Sequence, residues 1–303
     1  MRYTVFTIGL DKSLKSALTE EADKQNIYIH HIGWQQWLHG QLELITTRKN
    51  SLRFSLEVSP GVRLESEKVH GLISFDRYIP RKYVVEHYPE SDHAYIYSAW
   101  QSAWLSTHKS IKQIINRVDY STIQANYLNL PHSFKIATSV GISIPQWGFC
   151  SQASIKRDYI CTSNQSLLQN HNFAKSYEQG MFSMEYIEGI AIVVLIVGDT
   201  IIVRQADRSF HNIVMPPKML TKLHALRKKV SQNVIELFFK VTDKRWVLHR
   251  ISTSPEWKRW WLKDLTITAK ALFRTLGIKL KQETKKKKPF IKNTLRPFCG
   301  EDR

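Results

Sequence analysis

The sequence predicts an α/β domain followed by an α+β body built on antiparallel hairpins. Three observations predict it. The chain opens with a strand, an amphipathic helix and a second strand; a Gly198-Asp199 pair sits between two β-branched runs; and a second hairpin near the C-terminus is followed by a long helix. Alternating β and α units favour a parallel sheet at the start, and hairpins favour antiparallel sheets after it. With 303 residues, 43% of them hydrophobic, the chain can fill the cores of two domains.

Residues 3–10 form a β-rich run that breaks at Gly9. Leu14, Ala17, Leu18 and Ala22 then recur at helical spacing, with Asp11 or Ser13 available as N-cap. Residues 27–32 read as the next strand. Gly9 alone is no dinucleotide fingerprint, because G-x-G-x-x-G is missing. Residues 52–58 and 69–75 are further strands, with Ser59-Pro60-Gly61 as a turn after the first. Residues 92–115 read as one helix carrying Tyr95, Tyr97, Trp100 and Trp104, a stripe that packs a helix on a sheet more readily than it stacks bases. Pro131 opens a helix over 133–140, which Gly141 ends. Residues 158–162 and 184–204 read as antiparallel strands, with Gly198-Asp199 as the hairpin turn.

Pro216-Pro217 starts a helix whose inward face is Leu220, Leu223, Leu226 and Val230. Lys218, Lys222, Lys228 and Lys229 occupy its other faces and form a candidate anion-binding surface. Residues 235–241 and 245–251 close a hairpin around Asp243-Lys244, and a last helix runs over 257–276 to Gly277.

Charge is lopsided. The net charge is +18, and residues 201–303 hold 25 basic against 8 acidic residues. Such a surface attracts anions: nucleotide, acidic peptide or nucleic acid. The tetralysine Lys285 to Lys288 opens a basic tail, which reads as solvated. The longest apolar run, 190–197, is far short of a membrane span, and the opening residues lack a secretory apolar stretch. Cys150, Cys161 and Cys299 have neither zinc spacing nor an even count, so a reduced, cytoplasmic setting is expected. The twelve histidines show no ligand spacing; His30 and His31 are adjacent on a strand and point to opposite faces.

The order of the pieces carries more than any one of them. Asn116-Arg117 precedes a helix ending in Gly141-Ile-Ser-Ile-Pro145. A strand then leads into Glu185-Tyr-Ile-Glu-Gly189, followed by the Gly198-Asp199 hairpin and a helix. Last come Ile235-Glu236-Leu237 and Trp246-Val-Leu-His-Arg250-Ile-Ser252-Thr-Ser-Pro255-Glu-Trp257. This succession resembles the ATP-grasp superfamily, and within it most closely the microviridin or graspetide-type ligases that modify ribosomally made peptides. The resemblance implies an α/β pre-domain over 1–100 and an ATP-grasp-like α+β body over 101–284, with the basic tail over 285–303. The body has two antiparallel-sheet subdomains around a cleft.

In that family ATP lies between the subdomains, lysines touch its phosphates, carboxylates hold magnesium, and an amine attacks an acyl phosphate. The chemistry is mostly electrostatic positioning. By the resemblance, the segment Glu185, Tyr186, Ile187 and Glu188 reads the nucleotide, and Glu188 meets a ribose hydroxyl. Leu130 stands where the first phosphate lysine is expected, and Lys156 and Lys175 are candidates for the second. Glu236 occupies the first metal carboxylate position. Arg250 and Ser252 occupy those of the second carboxylate and an asparagine. An arginine is a donor with no acceptor and keeps its charge, so it cannot ligate a cation. Glu236 is expected to pair with Arg250 across the hairpin instead.

Three readings follow. The first is a relative of these ligases with impaired magnesium–ATP catalysis, weak for ATP and poor for magnesium, that binds a peptide or other carboxylate ligand as partner to an active ligase. The second is a working carboxylate–amine ligase in which Arg250 is catalytic and supplies the charge of the metal. The third is a nucleic-acid-binding protein using the basic last third, marked by a steep salt dependence. A second copy of the chain is also admitted as a partner.

Overall fold

The computed structural model describes residues 3–46, 52–59, 61–76, 79–118, 130–150, 159–162, 181–185, 187–206, 215–242 and 245–281. The chain begins as β1 (Thr4–Ile8), α1 (Lys12–Gln25), β2 (Tyr28–Ile32) and α2 (Trp34–His39). Asp11 is the N-cap of α1, its carboxylate accepting from Ser13 N at 2.8 Å. β3 (Gln41–Thr46), β4 (Leu52–Ser59) and β5 (Val62–Glu65) form a small antiparallel sheet. The chain returns as β6 (Gly71–Ile73), α3 (Lys82–Val85), α4 (His93–Ser110) and β7 (Gln113–Ile115). The first sheet has the order β2-β1-β6-β7 and is parallel throughout. Its order reverses between β1 and β6.

The stretch 92–115 is not one helix. α4 stops at Ser110 and Gln113–Ile115 pairs with β6 instead. Arg117 reaches back to the end of α4, donating to the carbonyls of His108 at 3.1 Å and of Ile111 and Lys112 at 2.9 Å each. The first belongs to the last turn of α4, whose carbonyls the helix leaves without partners, and the other two lie just past its end. The parallel sheet therefore runs to Ile115, past the expected boundary at residue 100.

The body begins with α5 (Leu130–Ser139), β8 (Trp147–Cys150), β9 (Tyr159–Thr162) and β10 (Met181–Glu185). These three strands form an antiparallel sheet in the order β8-β10-β9. β11 (Ile190–Val197) and β12 (Thr200–Gln205) are the expected hairpin, turning at Gly198 with φ +55. Then follow α6 (Pro217–Val230), β13 (Val234–Val241), β14 (Trp246–Ser252) and α7 (Leu262–Thr275). The second antiparallel sheet has the order β12-β11-β13-β14.

One core unites the two halves. Val5, Leu14 and Leu18 pack with Val193, Leu195, Trp257 and Leu272, so α1 lies on α7. The other face of the parallel sheet buries Phe6, Ile8 and Leu56 with Trp34, Trp37 and Trp104, whose rings meet edge to face 5.0–5.9 Å apart. A third core lies between α6 and the second sheet, around Leu223, Leu226, Val194 and Leu237. The inward stripe of α6 is Met219, Leu223, Leu226 and Val230, while the expected Leu220 is 39% exposed. Leu220 sits one residue, or roughly 100°, from Met219 and falls on the flank of the stripe.

Candidate functional site

Alternation along β13 and β14 builds the site. Glu236 lies directly across from Ser252, and Phe238 across from Arg250. The ladder shifts between Phe238 and Phe239, which leaves His249 as the extra residue of a bulge. Glu236, Phe238, Arg250 and Ser252 therefore share one face. With Ser254, Pro255 and Glu256 they line a cavity of about 240 Å³. Glu236, Arg250 and Ser252 are all buried, at 1%, 6% and 1% exposure.

The expected Glu236–Arg250 pair is not what the ladder sets side by side; Ser252 stands opposite Glu236. The Glu236 carboxylate accepts from Trp260 Nε1 at 2.9 Å and from the Glu256 amide at 3.2 Å. Burial pushes its pKa up to about 7, against the opposing pull of those two hydrogen bonds and of Arg259. The guanidinium of Arg250 lies 5.8 Å from the ring centre of Phe238 and that of Arg259 5.5 Å from it. Arg259 Nε also donates to Glu256 at 2.6 Å. Ser252 Oγ donates to the Ser254 carbonyl at 2.8 Å and accepts from its amide at 3.2 Å, which turns the chain out of β14.

Asn116 fixes the end of this ladder. Its Nδ2 donates to the carbonyls of Val234 at 2.7 Å and Thr253 at 2.8 Å, and its Oδ1 accepts from Val234 N at 2.7 Å. The side chain thus bridges the first residue of β13 and the residue after β14, where strand pairing stops. The sequence singled out Asn116-Arg117 only as a motif; its two roles depend on partners that the sequence does not place nearby.

The segment expected to read a nucleotide begins at the end of β10. Glu185 Oε2 accepts from Gln146 N at 2.9 Å, and Oε1 lies 3.7 Å from Arg245. Ile187 is buried and Glu188 exposed. Tyr186, Lys156 and Lys175 lie outside the described residues, as does the tail 285–303. Leu130 is buried with Phe134 and Met184, so an apolar side chain suits that position. His249, which the sequence did not single out, is pushed down to about 4 by burial, with Lys240 adding to the effect and Glu185 opposing it.

On α6, Lys218, Lys228 and Lys229 are exposed and Lys222 is half-buried. Lys222 donates to the Gly141 carbonyl, and Lys229 Nζ donates to Ser139 Oγ at 2.8 Å. Two of the four lysines therefore tie α6 to the end of α5.

A second cavity, of about 410 Å³, adjoins the first and shares Ser254, Pro255 and Glu256 with it. Its other wall is Gly9, Leu10 and Asp11 after β1, with Phe75 and Asp76 after β6. These are the carboxyl ends of the strands where the sheet order reverses, the place where open α/β sheets take ligands. Gly9 has φ +67, and a Cβ there would meet Asp76 Oδ2 and Trp34 Nε1 at 2.4 Å. Asp76 accepts from that indole at 2.8 Å, and burial raises its pKa. Among the described residues no three His, Cys, Asp or Glu side chains gather as a metal cluster. No helix among them is long and apolar enough to cross a membrane.

A parallel-sheet domain packed on two antiparallel sheets is the ATP-grasp ligase architecture. More particularly, the fold is that of the RiPP-associated ATP-grasp ligases. The chain matches the Chryseobacterium gregarium RiPP-associated ATP-grasp ligase, whose structure holds ADP with a leader and core peptide. The TM-score is 0.68 at 12% identity, over 91% of this chain and 96% of that one. It matches the macrocyclase MdnB of Microcystis aeruginosa MRC with a TM-score of 0.68 at 16% identity, over 89% and 98%. For MdnC of the same organism, bound with precursor peptide MdnA, the values are 0.66 and 13%, over 91% and 100%. No protein-family model matches the sequence, and no curated protein matches it.

Proposed function

We propose that this chain is an ATP-grasp-fold protein that binds a peptide or other carboxylate ligand and has lost standard magnesium–ATP catalysis. In this reading it serves as partner to an active ligase in a reduced cytoplasm. One observation carries the proposal: Arg250 and Ser252 lie with Glu236 in one cavity, on the strand pair expected to hold the metal. Magnesium sites use one or two carboxylates together with substrate phosphates. The only carboxylate among those three residues already accepts from Trp260 and Glu256, and a guanidinium offers no lone pair. These residues do not fit a magnesium ion. The peptide half of the proposal is supported by the peptides in the structures of the Chryseobacterium gregarium ligase and of MdnC. We assign the exposed Lys218, Lys228 and Lys229 the attraction of an acidic partner, with Lys222 at the edge of that surface.

Calorimetric titration of ATP with and without magnesium tests the proposal. The expected result is weak binding that magnesium does not strengthen. Micromolar, magnesium-dependent binding would overturn it and promote the working ligase, with Arg250 beside the transferred phosphoryl group.

A further inference from the structure

We propose that the cavity beside the Gly198 turn is an oxyanion site, in which Arg227 of α6 and Arg274 of α7 hold a phosphate group. It shares no lining residue with the β13–β14 cavity or with the crevice that adjoins it, and so stands apart from the function proposed above.

Three elements build it. The second antiparallel sheet carries α6 on the face of Val194 and Ile196, and α7 on the face of Leu195 and Val197. The last turns of both helices meet the rim of the sheet at the β11–β12 turn. Residues 197–200, Arg227, Arg274 and Thr275 line the cavity of about 340 Å³ there. Its volume falls at the lower end of the roughly 300–1,000 Å³ of small-molecule sites. Gly198 has φ +55 and lies so close to α7 that a Cβ there would meet Thr275 Oγ1 at 2.5 Å. Contact this close fixes the turn on the helix, so the wall is formed before any ligand arrives.

The positive charge is poorly matched within the chain. The Arg227 side chain is 16% exposed, and its Nε is buried without an acceptor among the described residues. A terminal nitrogen donates at 3.2 Å to Asp199 Oδ1, a carboxylate that is itself 93% exposed. A pair with a group so fully in water contributes little. Arg274 is exposed, and its side chain has no ion pair among the described residues. A cation in the last turn of a helix answers the helix dipole, which accounts for both arginines being there. It does not account for a buried Nε with nothing to donate to.

A guanidinium fork fits carboxylate and phosphate alike, so net charge selects between them. With Asp199 turned to water, the lining residues hold two cations and no anion, which suits a dianion better than a carboxylate. Asp199 marks the side from which an oxyanion reaches Arg227, and its exposure lets it yield that place. Thr200 adds a hydroxyl to the wall.

The test is an NMR titration of the full chain, carrying isotope-labelled arginine, with inorganic phosphate, glycerol phosphate and acetate. It is run at about pH 8, where phosphate is mostly dianionic, and about 0.15 M salt. The Arg227 Nε–H serves as the reporter. Phosphate is expected to shift it and saturate with a Kd below about 1 mM, and acetate to bind about tenfold or more weakly. Glycerol phosphate binding at least as tightly as phosphate assigns the site to an esterified phosphate; much weaker binding assigns it to the free ion. Arg274→Met, a surface change that leaves the fold intact, is expected to weaken phosphate about tenfold, and Arg227→Met to weaken it at least as much. Asp199→Asn keeps a residue that suits the turn and removes the competing carboxylate, so phosphate should bind about threefold more tightly. A purely structural Arg227–Asp199 pair gives no such gain. An Arg227 signal unmoved up to about 10 mM phosphate, acetate binding as tightly as phosphate, or an affinity indifferent to Arg274→Met and Asp199→Asn would overturn the proposal.

Discussion

The lysines of α6 and the arginine of β14 carry the same charge into opposite surroundings. Lys218 and Lys228 stand in water, while Lys222 and Lys229 join α6 to Gly141 and Ser139. Arg250 is buried, with Phe238 beside it and Glu236 and Ser252 on the same face. Water and salt screen the exposed charges, so each contributes little beyond long-range attraction. A buried charge is costly to isolate and strong toward a matching partner. The +18 net charge therefore says little about where these cations act.

Removing a buried ionisable group should have the largest effect. The pKa of Glu236 rises from its ordinary 4.5 to about 7 in the folded chain. Between those values the unfolded chain releases its proton first, so this group makes stability fall as pH rises, and its full penalty is present above about pH 7. Glu236→Gln should be the more stable protein at pH 8, by about 3 kcal/mol, and roughly equal to wild type near pH 4.5. Urea denaturation at the two pH values checks this. A difference that stays flat with pH would remove Glu236 from the buried class.

Next comes the clip on the same strand pair. Asn116→Ala removes three hydrogen bonds and strands the Val234 amide with the Val234 and Thr253 carbonyls. It should destabilise the fold by about 2 kcal/mol, read as a lower denaturation midpoint. A loss below about 0.5 kcal/mol would mean that water replaces the amide and that this end of the ladder is open.

The smallest effect belongs to the surface. Lys218→Glu combined with Lys228→Glu should change stability by no more than about 0.5 kcal/mol. Binding of an acidic peptide should weaken and lose part of its salt dependence. Unchanged peptide affinity would show that the exposed charge of α6 plays no part in binding.

What was legible in the sequence follows the same division between local and distant causes. The β1-α1-β2 opening, the Gly198 turn and the β13–β14 hairpin are legible, because periodicity and turn residues are written within a few positions. The end of α4 departs from the expectation because Arg117 and the pairing with β6 decide it from elsewhere in the chain. α2, β3 and β5 are not legible from the pattern: they are short, and β3 is mostly exposed. At the site, Glu236, Arg250 and Ser252 could be singled out by position. The Trp260 partner lies 24 residues from Glu236, and the bulge at His249 appears only once β13 is in register.

The central claim is that Arg250 and Ser252 exclude the metal. It is tested most directly by magnesium–ADP titrations of wild type beside the double variant Arg250→Asp, Ser252→Asn, with an intact fold verified by circular dichroism. The account predicts that the variant gains magnesium-dependent nucleotide binding, about tenfold or more tighter than that of wild type. Wild-type chain that binds magnesium–ADP as tightly as the variant would contradict it.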